Sequence, residues 1–147
     1  MWEYAKEWSQ IAPGFTPLVA VAAVLLAWRQ LVLNRYNQRE TTAKATFREY
    51  LKLAIQYPEL SSTNFQFLEG DQLERYEWFV GYFLWSADEL FELEALDSEW
   101  GRNLQLLADY HGEYFATSPP FISSEFDTYS PKTREMIKRA IVARVQK

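Results

Sequence analysis

Phe15-Thr-Pro-Leu-Val-Ala-Val-Ala-Ala-Val-Leu-Leu-Ala-Trp28 is the stretch on which the fold turns. No charged residue occurs from Trp8 to Trp28, a run of 21. A helix that crosses a bilayer needs about 20 apolar residues at a rise of about 1.5 Å each, so the run is just long enough. Arg29 and Gln30 interrupt it before Leu31-Val-Leu33. An arginine at that depth reaches back to the head groups along its own aliphatic stem. Thr16 followed by Pro17 predicts the helix start, a capping residue and then proline at the first helical position. Trp8 and Trp28 stand at opposite ends, where interfacial tryptophans belong. Residues 15–34 are therefore read as a transmembrane helix.

Other readings compete for the same stretch. A cleaved signal peptide wants a basic N-terminal region and a small-residue cleavage site. Residues 1–14 carry Glu3, Lys6 and Glu7 instead, and Trp28-Arg29 follows the apolar run. A buried core helix of a soluble protein stays open, because the purest part, residues 15–28, falls short of a full span. An interfacial helix fits less well, since residues 17–28 are apolar on every face. Residues 1–14 are read as a short extracytoplasmic segment, with Trp2, Ala5, Trp8, Ile11 and Ala12 at helical spacing for a surface-lying helix. Lys6 alone precedes the span, whereas Arg29, Arg35, Arg39, Lys44, Arg48 and Lys52 follow it. Flanking bases stay inside, so residues 35–147 are expected in the cytoplasm.

Beyond the span the helical pattern continues. No Gly or Pro occurs between Pro17 and Pro58, and Tyr36, Ala43, Phe47, Tyr50, Ala54 and Tyr57 recur at steps of three, four and seven. One nearly continuous helix over 17–57 is predicted, ending before Pro58. A loop should follow over 58–70, then a helix over about 71–94 with Leu73, Tyr76, Val80, Phe83, Ala87 and Leu90 inward. A third helix is predicted over about 98–116, with Trp100, Leu104, Leu107, His111 and Tyr114 on one face, stopped by Pro119-Pro120. Residues 119–130 read as a loop or single turn. Ser130-Pro131 opens a last helix to about 145, presenting Ile137, Ala140 and Ile141. No strand pattern of useful length appears. The expected fold is all-α, a transmembrane helix continuing into a four-helix cytoplasmic bundle.

Composition narrows the chemistry. With no Cys, disulfides, thiolate metal sites and a cysteine nucleophile are excluded, and one His excludes a multi-histidine metal site within one subunit. Five Gly form no phosphate-cradling loop. Aromatic residues reach 17%, so the core should be built from rings. Net charge is −5, but it is segregated. Residues 58–100 hold eleven acids against Arg75 alone, and residues 131–147 hold six bases against Glu135 alone.

Four features bear on function. His111 would need a carboxylate and a cleft to serve as a general base, yet it falls in an apolar stripe, which favours a structural role. Asp88, Glu89, Glu92, Glu94, Asp97 and Glu99 lack a Glu-x-x-His companion and read as a solvated acidic surface rather than a metal site. The terminal bases, among them Arg134, Lys138, Arg139 and Arg144, suit an anionic lipid, a nucleic acid or a phosphorylated small molecule. A match to the acidic helix, within the chain or between protomers, is the competing reading. Trp78, Tyr82 and Trp85 fall off the main stripe of their helix and mark a second packing face or an interface.

Phe15-Thr-Pro-Leu-Val-Ala20, Ala27-Trp-Arg-Gln30, Tyr57-Pro-Glu-Leu60, Glu77-Trp-Phe-Val80, Asp97-Ser-Glu-Trp100 and His111-Gly-Glu-Tyr114 give the chain a layout that resembles a loose group of uncharacterised bacterial proteins. Those have one N-terminal membrane helix and a small helical cytoplasmic domain. The resemblance implies a bacterial inner-membrane origin and no catalytic residue. The layout is also similar to that of some antiphage effectors that respond to cyclic nucleotides, a likeness of architecture alone. The expected function is a non-catalytic, membrane-anchored interaction module or accessory subunit with a protein partner or a second copy of itself, and no cofactor or DNA. The alternative is a ligand-gated membrane effector whose cytosolic domain binds an anionic small molecule. Arg134, Lys138, Arg139, Arg144, Trp78 and Trp85 are the residues expected to make contact.

Overall fold

The computed structural model describes residues 2–62, 65–93 and 99–145, with the side chains of residues 2–16, 18, 62, 65 and 145 outside the description. The chain is all-helical, and no strand occurs among the described residues. In chain order the helices are α1 (Trp2–Gln56), α2 (Pro58–Ser62), α3 (Asp71–Leu93), α4 (Glu99–Tyr110), α5 (Gly112–Thr117) and α6 (Pro131–Val145). They divide into two compact units, Met1–Arg39 and Glu40–Lys147, each taken by itself.

In the first unit α1 begins at Trp2, not at the Thr16-Pro17 start expected. Pro13 and Pro17 each lack a donor N–H, so two ladder bonds are lost while the turns around them continue. The expected surface-lying face of residues 1–14 falls on side chains outside the described residues. Every described side chain from Val19 to Arg39 is exposed, with Val24 at 67% and Trp28 at 68%. Among the described residues no helix is long and apolar enough to cross a membrane. Of the 15–34 segment, the side chains of residues 15, 16 and 18 lie outside the described ones, and the uninterrupted apolar run that is described, residues 19–28, is about half of a ~20-residue span.

The second unit is a helical bundle around an aromatic core. α1 ends where expected, with the Tyr57 N–H closing on Leu53 O at 2.8 Å before Pro58. Its inner face is Ala43, Phe47 and Tyr50, all buried, whereas Tyr36 and Tyr57 are exposed. The apolar stripe is therefore used inside its own unit at Ala43 and Tyr50. Gly70 takes φ +55°, a left-handed conformation glycine adopts without strain, and turns the chain into α3. Of the expected inward residues, Tyr76, Val80, Phe83, Ala87 and Leu90 are buried, whereas Leu73 in the first turn is only partly buried. Phe79, Leu84 and Phe91 join them, so the buried face of α3 is wider than one stripe.

The third helix is two helices. α4 ends at Tyr110, and His111 sits at φ −102°, ψ 5°, a turn conformation, before α5 resumes at Gly112. The break lets α5 follow α6, and the two touch at Gly112, where an added Cβ would lie 2.5 Å from Ala140 O. Gly112→Ala should therefore cost roughly 1–3 kcal/mol by overpacking. Equilibrium denaturation checks this, and a midpoint equal to the parent's would place the contact elsewhere. Trp100, expected to be fully inward, is only partly buried. Its ring meets Phe47 edge-on at 5.6 Å, and the Lys44 ammonium lies 5.9 Å from its centroid.

The expected loop over 58–70 contains α2 and a 3₁₀ turn at Phe65–Phe67. Residues 119–130 form a π turn at Phe121–Glu125 and a 3₁₀ turn at Phe126–Thr128. That segment drives Phe121 into the core, 5.2 Å from the Phe115 ring. α6 opens at Ser130-Pro131 as expected, with the Thr133 N–H donating to Ser130 Oγ at 3.4 Å. Asp88 of α3 accepts from the Ser130 N–H at 3.0 Å and from the Thr133 hydroxyl at 2.6 Å. In return, Lys132 Nζ donates to Phe91 O at 2.8 Å near the C-terminus of α3. Each helix thus supplies the charge that the other's dipole favours.

Candidate functional site: an aromatic groove with an acidic rim

α3 has a second face. Gln72, Arg75, Trp78, Tyr82 and Trp85 follow at steps of three, three, four and three, opposite the buried stripe. Trp78 is 75% exposed and Trp85 54%. The Tyr82 ring packs against Trp85 at 5.9 Å and 54°, so the two rings form one surface. Around this face lies an open groove of about 1440 Å³. Its apolar walls come from Leu53 and Tyr57 at the end of α1, Leu60 of α2, Leu68, and Tyr129. Small-molecule pockets span roughly 300–1,000 Å³, so the groove is of peptide size.

Two details separate this groove from a merely uneven surface. Gly81 lies on its floor in mid-helix, and a Cβ added there would meet nothing within 4 Å. No packing in this unit requires that glycine, although glycine costs an exposed helix about 1 kcal/mol against alanine. The rim carries Glu59, Glu74, Glu77 and Glu125 against Arg75. The Glu77 carboxyl is raised above its ordinary range by burial, and by the neighbouring carboxylates of Glu125 and Glu74. The Tyr129 phenol is pushed up to about 12, chiefly by burial.

His111 stands apart from the groove. It is buried, and its Nδ1 shares a hydrogen bond with the Tyr76 hydroxyl at 2.9 Å. The rings of Tyr76, Phe79, Phe83 and Phe115 surround it at 5.6 to 6.4 Å. Burial lowers its pKa to about 4, so the imidazole is neutral at pH 7. Its place in the core is the one its apolar stripe suggested.

The expected contact residues on α6 do not join the tryptophans. Arg134 reaches Asp127 at 3.5 Å, Arg139 pairs with Glu135 at 3.1 Å on the same helix, and Arg144 pairs with the buried Glu113. Lys138 Nζ lies 5.9 Å from the Phe126 ring centroid. The three arginines are thus paired with acids within the unit, none of them an acid of the α3 C-terminus. Among the described residues no three His, Asp or Glu side chains stand together as metal ligands. Glu94 and Asp97 lie outside the described residues.

Of the six expected contact residues, the structure brings Trp78 and Trp85 into one groove. Sequence reasoning missed Gly81 and the acidic rim as parts of it. Gly81 was legible as a helix-interior glycine on the tryptophan face. Glu125 and Tyr129 arrive from a distant turn and carried no signal. No family model, no curated protein and no solved structure matches the chain.

Proposed function

We propose that the protein is a non-catalytic interaction module held at a membrane, with the aromatic groove on α3 as its docking surface for a protein partner. The observation that carries this reading is the pair Trp78 and Trp85, exposed on a continuous groove of peptide size. Large aromatic side chains give up water at little conformational cost and dominate binding energy at protein interfaces. Support for the membrane anchor is physical. Residues 19–28 are apolar on all sides and exposed on all sides, a surface that water alone does not tolerate. The apolar run begins before them, at Phe15. In this reading residues 35–147 face the cytoplasm of a bacterial cell, and Ala20-Val-Ala-Ala23 allows close contact between anchors. An anionic-ligand effector draws less support, because Arg134, Arg139 and Arg144 already have acidic partners within the unit.

The test is native purification from membranes. The chain should resist an alkaline wash and bring down a stoichiometric partner, which Trp78→Ala with Trp85→Ala releases. That double variant should change stability by only about 0.5 kcal/mol, since both rings are exposed. Recovery of the chain alone, or of the same partner with the double variant, would sink the proposal.

A further inference from the structure

We propose that the groove receives a basic amphipathic helix, with its apolar stripe over Gly81 and its bases on the glutamate rim. This deepens the docking reading above and rests on it. Three features point to that occupant. The tryptophans stand seven residues apart on α3, about 10 Å along its axis, so a helix laid along the groove would meet a ring about every two turns. Gly81 lies between them with open space above its Cα, which leaves room for a helix to approach the α3 backbone. The rim sets four carboxylates against one guanidinium, close enough that Glu125 and Glu74 oppose ionisation of Glu77. An apolar or acidic segment would leave that repulsion in place, whereas lysines and arginines along the flanks relieve it.

The experiment uses the full chain in discs of uncharged lipid, with empty discs subtracted. The probe is a helical Leu/Lys peptide of about five turns, carrying a photo-crosslinker on its apolar face. A Leu/Glu peptide of the same pattern serves as control. The Leu/Lys peptide should label α3 around Trp78 and Trp85, weaken as salt rises, and outcompete the Leu/Glu peptide by more than about tenfold. Gly81→Leu should abolish labelling while the far-UV spectrum and melting curve are retained, because leucine favours the helix and its Cβ meets no neighbour. Equal labelling by both peptides, or labelling unaffected by Gly81→Leu, overturns the inference. So does crosslinking between two copies at Trp78 without peptide, which makes a second chain the occupant. A native partner released by the tryptophan double variant, but docking through a segment without bases, also overturns it. That last result leaves the docking reading intact, and absence of any partner removes both.

Discussion

Phe83→Ala should destabilise the second unit by about 3–5 kcal/mol, the usual cost of deleting a buried ring. Phe83 is fully buried on the inner face of α3, with the Tyr50 ring at 5.2 Å and the His111 ring at 6.0 Å. It links rings from α1, α3 and the α4–α5 break, so its loss leaves a cavity that the surrounding helices cannot fill by side-chain motion alone. For a unit of this size the melting temperature should fall by more than about 10 °C. A melt within about 2 °C of the parent would show that the core is centred elsewhere.

Acid should unfold the same unit through His111. An exposed histidine titrates near 6.5, and burial lowers this one to about 4. Between those values the unfolded chain holds a proton that the folded chain refuses. The contribution of the neutral ring is therefore complete above about pH 6.5 and is lost as pH falls toward 4, by about 3 kcal/mol at ~1.36 kcal/mol per unit. Carboxylates add their own acid dependence, so the comparison must be differential. His111→Asn keeps a polar side chain beside Tyr76 but does not titrate. Denaturation between pH 7 and 4.5 should show a shallower loss for this variant than for the parent, although it begins less stable. Parallel curves would remove His111 as the source.

Helix boundaries set by local chemistry were legible in the chain. Pro58 ends α1, Asp71 opens α3, and Ser130-Pro131 opens α6, because proline geometry and capping act over a few residues. The break at His111 was not legible. It follows from the approach of Gly112 to the Ala140 carbonyl, a contact 28 residues away in sequence that no local pattern encodes. Phe121 was missed for a related reason. It reaches the core from a π turn, where neither a period of 3.6 nor one of 2 applies. Trp100 was overestimated because its spacing marks the inner face but not how far the face extends, and it sits at the edge against Phe47. For the groove, Trp78 and Trp85 stood out as rings off the main stripe. Its rim, assembled from α2, α3 and the turn before α6, did not.

The reciprocal link between α3 and α6 has a consequence for biosynthesis. The cap on the first turn of α6 comes partly from Asp88, more than forty residues earlier, and Met136, Ile137 and Ala140 complete the core. α6 is the last described helix to leave the ribosome, and at roughly 5–20 residues per second it follows α3 by seconds. During that interval the faces of α3, α4 and α5 that α6 packs against are made but uncovered. The nascent chain is then a sticky intermediate with its lid still inside the exit tunnel. Under the membrane-held function proposed above, delivery of the apolar N-terminal segment to a bilayer in that window would keep the unfinished domain away from other nascent chains until α6 emerges and closes it.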